Sequence, residues 1–457
     1  MQHPICSLLT EFYRCEDLDA KFSVIENLSP ASGFFRLDDG TVCFGQLSGK
    51  QPGSRASELM LPVALPQMDA GKIKLTFDPM AAVDNLRLEK YERGQLQSKK
   101  SLVRQIYYLV RPLMPVTIRK HLQRVSLRGW DNIPFPYWPV DRSVDRIHEW
   151  LLRLVMETQG VNEIPFVWFW PEGHSSCACM THDVETSTGR DFCGQLMDID
   201  DGFGIKSSFQ VVPEQRYEVD GAFLDSIRKR GFEVNVHDLN HDGRLFFMAY
   251  EGFLERVEKI NRYGREFGAR GFRSAVLYRR QEWMKELEFA YDMSVPSVGH
   301  LEPKRGGCCT LMPYYTGDLL EIPVTTTQDY SLFHILGEYS TGLWERQLAA
   351  ICSAHGMATF IVHPDYVIEA RAQQTYRRLL GHLAELRKDK HVWIARPGDI
   401  CDWWRQRAGM QLVKDGDTWR VEGEGSERAR VAYARVEHNE IAYQVEERSC
   451  RSVVSTN

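Results

Sequence analysis

The chain has 457 residues, which is enough for two or three domains, and 43% hydrophobic with 26% charged residues is ordinary for a globular protein. Its 56 Lys and Arg are outnumbered by 62 Asp and Glu, so the formal charge of −6 argues against a nucleic-acid partner. No apolar run approaches the length of a membrane span, no secretory signal pattern opens the sequence, and the 11 cysteines lack the spacing of a disulfide framework. These features predict a cytoplasmic protein without a membrane span, and they leave its oligomeric state open.

The N-terminal part of the chain divides into two regions. Residues 1–85 contain short apolar runs broken by turn signals, such as Asp38-Asp39-Gly40, and they predict a small β-rich module. Residues 86–170 change to helical spacing and predict a helical connector. Its two apolar helix faces are Leu102, Ile106, Leu109 and Leu113, and then Ile147, Leu151, Leu154 and Val155.

Residues 171–407 alternate short apolar strands with helical segments, which favours an irregular (β/α) barrel over a doubly wound sheet. The predicted strands are Cys177–Thr181, Ser208–Val212, Glu233–Val236, Phe272–Val276, Met293–Pro296, Leu319–Val324, Ala358–Val362 and Val392–Ala395. The predicted helices are Phe223–Arg230, Phe253–Phe267, Trp283–Ala290, Leu343–His355 and Thr375–Arg387. Residues 408–457 contain paired strand signals and predict a small C-terminal β extension.

Two carboxylates follow the first strand of the predicted barrel. The run Thr181-His182-Asp183-Val184-Glu185 places Thr181, Asp183 and Glu185 on one side of an extended chain and His182 on the other. Two carboxylates on one side of a strand end repel each other unless a cation or an arginine compensates them. An exposed acidic loop is the other interpretation of this pair taken alone.

Two histidines follow the third predicted strand, in the run His237-Asp238-Leu239-Asn240-His241. If the strand enters a helical turn at His237, His241 lies one turn further on the same face, where two imidazoles can bind one metal ion. Together with Asp183 and Glu185, the pair gives a set of two histidines and one carboxylate with a second carboxylate left over. A carboxylate beside a metal-bound water is what general-base catalysis requires.

These runs, together with Gly271-Phe272-Arg273-Ser274 and Ile361-Val362-His363, resemble in order the motifs of the polysaccharide deacetylase (NodB-homology) family, which is carbohydrate esterase family 4-like. The resemblance covers about residues 171–407 and implies a distorted (β/α)7-type barrel that hydrolyses an N-acetyl or similar carbon–nitrogen bond, not a peptide bond. It implies one divalent metal ion, with zinc the first choice. The implied roles are base for Asp183, acid for His363, base-steadying residue for Arg273, and metal ligands for Glu185, His237 and His241.

The sequence departs from the family pattern at several positions. Many members have two adjacent Asp residues where this chain has Asp183-Val184-Glu185, and a subgroup with Asp-Val-Asp or Asp-Val-Glu is the better match. The proline that often follows the motif arginine is absent after Arg273, and the groove-lining Asp of the fourth motif is matched only by Asp292, assigned here to substrate binding.

The sequence leaves three functions open. The first is deacetylation of an N-acetylated sugar or a polysaccharide-related substrate, with a metal-bound water, Asp183 as base and His363 as acid. The second is hydrolysis of a small non-sugar amide or imide at the same site. The third is a catalytically silent barrel that serves as a binding protein.

Overall fold

The computed structural model of the protein describes residues 4–16, 18, 20–69, 72–92, 125–388 and 391–446. The predicted helix face of Leu102, Ile106, Leu109 and Leu113 lies outside these residues. Within the described ranges, no helix is long and apolar enough to cross a membrane.

The N-terminal part combines small sheets with helices. Its elements are α1 (Pro4–Tyr13), β1 (Lys21–Val24), β2 (Gly33–Arg36), β3 (Val42–Gly45), β4 (Gln67–Asp69), β5 (Lys72–Leu75), α2 (Pro79–Arg87), α3 (Ser143–Gln159) and β6 (Glu163–Val167). Strands β1, β5 and β4 form one sheet, and β2 pairs with β3. Asp78 caps α2 by accepting the N–H of Met80, and Pro79 pre-sets the first helical turn. Helix α1 was not predicted, whereas α3 confirms the helix face that includes Ile147 and Leu151.

The central part of the chain forms one curled sheet with helices packed around it. Its strands are β7 (Ser176–Val184), β8 (Ser208–Val211), β9 (Glu233–His237), β10 (Gly271–Arg273), β11 (Tyr291–Asp292), β12 (Tyr314–Thr316), β13 (Leu319–Glu321), β14 (Met357–Ile361) and β15 (Val392–Ile394). Its helices are α4 (Ser187–Gly202), α5 (Gly221–Lys229), α6 (Tyr250–Glu266), α7 (Gly342–Ser353), α8 (Ala370–Lys388) and α9 (Pro397–Gly409). The strand order is β12-β13-β11-β10-β9-β8-β7-β14, with β15 also paired to β7, and the pairs are parallel except β12–β13. The predicted distorted α/β barrel is confirmed.

The barrel is closed on one side by threonine side chains instead of a backbone ladder. The Oγ1 of Thr325 donates to the carbonyl of Met357 (2.7 Å) and accepts the N–H of Thr359 (2.9 Å). The Oγ1 of Thr326 donates to the carbonyl of Thr359 (2.8 Å). These bonds join the segment after β13 to β14. They give hydrogen-bond partners to backbone groups of Met357 and Thr359 that have no neighbouring strand on that side.

Some predicted boundaries were wrong in the half of the barrel that carries β10 to β13. The predicted strand Phe272–Val276 ends at Arg273, because Val276 and Leu277 have positive φ angles of 60° and 52° and turn the chain out of the sheet. The predicted helix Trp283–Ala290 is a short 3-10 segment, Gln281–Glu286.

The C-terminal strands confirm the predicted β extension. They are β16 (Gln411–Asp415), β17 (Thr418–Glu422), β18 (Val431–Glu437) and β19 (Glu440–Val445). Strand β18 pairs with both β19 and β6, so the C-terminal extension shares one sheet with the strand that precedes the barrel. Arg407 on α9 joins these parts, because its buried guanidinium donates to the carbonyls of Val167 (2.7 Å) and Tyr13 (3.1 Å).

Candidate metal centre and active site

The end of β7 presents alternate side chains to the inside of the barrel. Arg273, at the end of β10, donates through Nη1 to the Oγ1 of Thr181 (2.8 Å) and to Oδ1 of Asp183 (2.6 Å). Glu185 follows on the same side, one residue beyond the strand. His182 points the other way, where its Nε2 lies 3.0 Å from Oδ2 of Asp200. The period of two in the extended chain therefore separates the site residues from a buried structural histidine.

The two predicted histidines converge on Glu185, although not by the predicted route. Strand β9 ends at His237, and the chain then turns through Asp238 and His241, whose φ angles are 56° and 54°. The expected helical turn is therefore absent here, since such angles are incompatible with a right-handed helix. The imidazole rings of His237 and His241 nevertheless lie 4.8 Å apart between centroids.

The turn that carries His241 is held by an arginine that the sequence did not indicate. Arg216 donates through Nη2 to the carbonyl of His241 (2.6 Å) and through Nε to the carbonyl of Asn240 (3.2 Å). Its Nη2 also lies 3.3 Å from Nδ1 of His241. Arg216 sits in a loop after β8 without a recognisable motif, so no pattern in the sequence could have identified it.

The ligand atoms of Glu185, His237 and His241 fit one metal ion. One ligand atom from each lies within 4.8 Å of the others. The Nε2 of His241 lies 2.9 Å from Oε1 of Glu185, and the Nε2 of His237 lies 3.7 Å from the same oxygen. Among the described residues, neither buried Nε2 has a hydrogen-bond partner of acceptable geometry, which is a costly arrangement unless something else binds there. Nitrogen and oxygen donors of this kind suit zinc and related divalent ions.

The orientation of His237 also suits a metal ligand. Its Nδ1 lies 3.1 Å from the carbonyl of Arg273 and donates to it, so Nδ1 carries a proton and Nε2 is the ring nitrogen that faces the carboxylates. Metal-binding histidines usually donate their second ring nitrogen to a carbonyl or carboxylate in this way.

Asp183 lies beside the possible metal ligands, and its surroundings favour the ionised carboxylate. Its Oδ2 lies 3.6 Å from Nε2 of His237, and the residue is 4% exposed. Burial alone raises the pKa of Asp183, but the charge of Arg273, followed by His237 and His363, outweighs it and holds that pKa below its usual value. Asp183 is therefore ionised at neutral pH.

His363 lies across the cluster, paired with a carboxylate that sequence reasoning missed. Asp329 accepts the Nδ1–H of His363 through Oδ1 (2.7 Å) and its backbone N–H through Oδ2 (2.7 Å). The Nε2 of His363 lies 3.4 Å from Oε1 of Glu185. Burial lowers the pKa of His363, but Asp329 and then Glu185 raise it well above its usual value. Asp329 follows the predicted strand Leu319–Val324, so a wider search of polar residues beyond strand ends would have found it.

Asp292 does not join this cluster. It is fully buried on β11, where it accepts the hydroxyl of Ser294 (2.6 Å) and neighbours Glu321 on β13. Burial raises its pKa. The expected substrate-binding role of Asp292 stays a prediction, because no contact of this carboxylate with the cluster around Glu185 is present among the described residues.

Neither a scan against protein-family models nor a search of curated proteins gives a match. Among solved structures, the chain is similar to a Mycobacterium smegmatis protein assigned to the polysaccharide deacetylases, at 16% identity and a TM-score of 0.43, over 55% of this chain and 98% of that one. It is similar to the peptidoglycan deacetylase PdaC from Bacillus subtilis, at 11% identity and a TM-score of 0.34, over 51% of this chain and 93% of that one. It is also similar to a mutant of a CE4 family pseudoenzyme, at 14% identity and a TM-score of 0.31, over 50% of this chain and 68% of that one.

These descriptions agree with the family that the sequence motifs resemble. Similarities this low carry no argument for function, and a pseudoenzyme is among them. The function proposed below therefore rests on the geometry of the site.

Proposed function

We propose that the protein is a metal-dependent hydrolase that removes the acetyl group from an N-acetylated sugar or a related carbohydrate. The proposal depends on one observation: Asp183 and His363, each in an ion pair with a buried partner, lie beside the three possible metal ligands Glu185, His237 and His241. Asp183 pairs with Arg273 at 2.6 Å and His363 pairs with Asp329 at 2.7 Å. A site is suited to hydrolysis when a base and an acid are each fixed by an ion pair beside imidazole nitrogens that are available to a metal ion.

Glu185, His237 and His241 would hold one divalent ion, with zinc the first choice for this donor set. When bound, such an ion polarises a carbonyl oxygen and lowers the pKa of a water molecule, which makes that water a nucleophile near neutral pH. Binding also requires both imidazoles to be neutral. Burial lowers the pKa of His241 toward that state, whereas Asp183 and Glu185 outweigh burial and raise the pKa of His237, so metal binding there would displace a proton.

Asp183 would take the proton of the attacking water. Its carboxylate is ionised at neutral pH, and Arg273 fixes its rotamer through Oδ1, which leaves Oδ2 directed at the metal ligands. A positioned base of this kind contributes about a hundredfold to ten-thousandfold to the rate.

His363 would donate a proton to the leaving nitrogen. An amine is a poor leaving group unless it is protonated, and a histidine with a raised pKa carries that proton at neutral pH. Because Nδ1 is engaged by Asp329, Nε2 is the atom that faces the cluster and would deliver the proton.

The substrate class is supported by the motif resemblance, and an acid in the position of His363 would suit an amide, whose leaving nitrogen must be protonated. The test is acetate release from N-acetylated chito-oligosaccharides by metal-stripped protein and by protein reloaded with one equivalent of zinc. We expect release only after reloading, and release at least about a hundredfold slower from reloaded Asp183→Asn.

Assays that follow the disappearance of other amide substrates separate the alternatives. Turnover of hydantoin or a simple acetamide, without turnover of any N-acetylated sugar, would replace the substrate class with a non-sugar amide or imide. An absence of hydrolysis with every substrate, in protein that retains zinc, would support a silent binding barrel instead.

A further inference from the structure

The loop that follows Arg273 has an unfavourable backbone conformation. Val276 and Leu277 are consecutive residues with φ angles of 60° and 52°, a region that glycine favours and that a β-branched residue rarely adopts. A residue in this region is strained and persists there only where neighbouring groups hold it. This loop, residues 274–279, therefore requires a support outside itself.

The support on one side is apolar. The Leu277 side chain is buried with those of Val324 and Ile361 in a cluster of their own. Ile361 pairs in register with Thr181, the residue that shares Nη1 of Arg273 with Asp183, and it lies two positions before His363. Leu277 therefore packs against the end of β14, two residues before the proposed acid and beside the strand that carries the proposed base.

The support on the other side comes from the N-terminal part of the chain. The carboxylate of Glu89, just beyond α2, accepts three hydrogen bonds. Two come from Nε (2.9 Å) and Nη2 of Arg279, and the third comes from Nζ of Lys304 (3.0 Å). We call these three residues the Glu89 ion cluster. Nη1 of Arg279 in turn donates to the carbonyl of Leu277 (2.8 Å), and Nζ of Lys304 donates to the carbonyl of Arg279 (2.9 Å). The cluster thus binds the backbone of the strained loop directly.

The Glu89 ion cluster is buried and closely fitted. Glu89 is 4% exposed and Arg279 is 2% exposed. At Gly306, a Cβ atom would come within 2.6 Å of Oε1 of Glu89, so only glycine fits there. Burial raises the pKa of Glu89, but Arg279 and Lys304 outweigh it and lower that pKa to about 2. Removing one partner of such a cluster leaves a buried charge without compensation.

We propose that the N-terminal part of the chain completes the active site, with Glu89 as a positioning residue that holds the 274–279 loop through Arg279. The carboxylate that neutralises Arg279 comes from outside the barrel, so this part of the loop's support is supplied by the N-terminal part of the chain. The catalytic consequence rests on the proposed function, whereas the structural consequence does not.

Hydrogen exchange of the full-length, metal-free protein tests the structural part without any need for turnover. In Glu89→Gln, we expect the amides of residues 277 and 278, which donate to the carbonyls of Ser274 and Ala275, to exchange at least about tenfold faster. Exchange in β16 and β17 should not change. The matched control is Asp38→Asn, which breaks the pair of Asp38 with Arg153 (3.0 Å) in the same N-terminal part without touching the loop.

A double variant keeps the proposal testable if Glu89→Gln alone does not fold. Glu89→Gln with Arg279→Met removes the closest pair of charges, so it avoids the unpaired guanidinium but still lacks the bond to the Leu277 carbonyl. Lys304, whose side chain is 17% exposed, keeps its bond to the backbone carbonyl of residue 279. We expect it to fold and to show the same fast exchange in the loop. Unchanged exchange at residues 277 and 278 in the folded double variant, or an equal increase in Asp38→Asn, would overturn the proposal.

Acetate release supplies the catalytic part of the test. In zinc-loaded Glu89→Gln, we expect kcat to fall about tenfold or more with zinc content unchanged, whereas Asp38→Asn should retain the wild-type kcat. A fall of kcat in both variants would show that Glu89 acts only through overall stability. If the wild-type protein releases no acetate, the proposed function fails, and the exchange experiment alone decides the role of Glu89.

Discussion

Replacing Asp329 by Asn should move the alkaline limb of the pH–rate profile. Asp329 accepts two bonds from His363, each 2.7 Å long, and both groups are buried, so its charge acts on the imidazole with little screening. An adjacent opposite charge shifts a pKa by about 1–3 units, and one unit corresponds to about 1.4 kcal/mol. His363 works as an acid only while protonated, so its raised pKa extends activity toward higher pH. Without the charge, that limb should shift about 1–3 pH units lower.

The assay is kcat/KM for acetate release from pH 5 to 10, with zinc content measured in each sample. The matched control is Asp365→Asn, because Asp365 follows His363 by two positions but makes no bond to its ring among the described contacts. We expect the control to shift the alkaline limb far less. An alkaline limb that stays in place in Asp329→Asn, or that moves equally in both variants, would refute the role of Asp329.

Three further predictions follow from the site and the fold. His237→Ala and His241→Ala should each lose zinc during dialysis, because one imidazole and one carboxylate rarely retain it, as metal analysis of the dialysed proteins will show. Arg273→Gln should keep zinc, lose about a hundredfold or more in kcat, and show an acid limb moved to higher pH, because the pKa of Asp183 is no longer lowered by that charge; a pH–rate profile checks this. Arg407→Met should lower the free energy of unfolding by about 3 kcal/mol or more in denaturant titrations, because it leaves buried carbonyls such as that of Val167 without a donor.

The parts of the site that follow from local periodicity could be predicted from the sequence. Alternation along β7 placed Asp183 and Glu185 on the inner side and His182 on the outer side, and both placements agree with the structure. Most buried strands were found because short apolar runs bounded by turn signals are typical of them. The strand predicted at Met293–Pro296 was wrong, since the strand observed there is Tyr291–Asp292.

The parts that depend on tertiary contact could not be predicted in this way. His241 reaches Glu185 through a turn with two positive φ angles, which Arg216 supports from a distant loop, and no local pattern encodes that pairing. Asp292 has the residue type of a groove ligand, yet the register of β11 with β13 places it beside Glu321 in the interior. The link of Glu89 to Arg279 spans 190 residues of sequence.

The most direct test of the metal centre is anomalous diffraction from a crystal of the protein loaded with zinc. The account predicts one anomalous peak at about 2.0–2.2 Å from Nε2 of His237, Nε2 of His241 and a carboxylate oxygen of Glu185. Zinc bound elsewhere, with these three side chains left without an ion at saturating concentration, would contradict it.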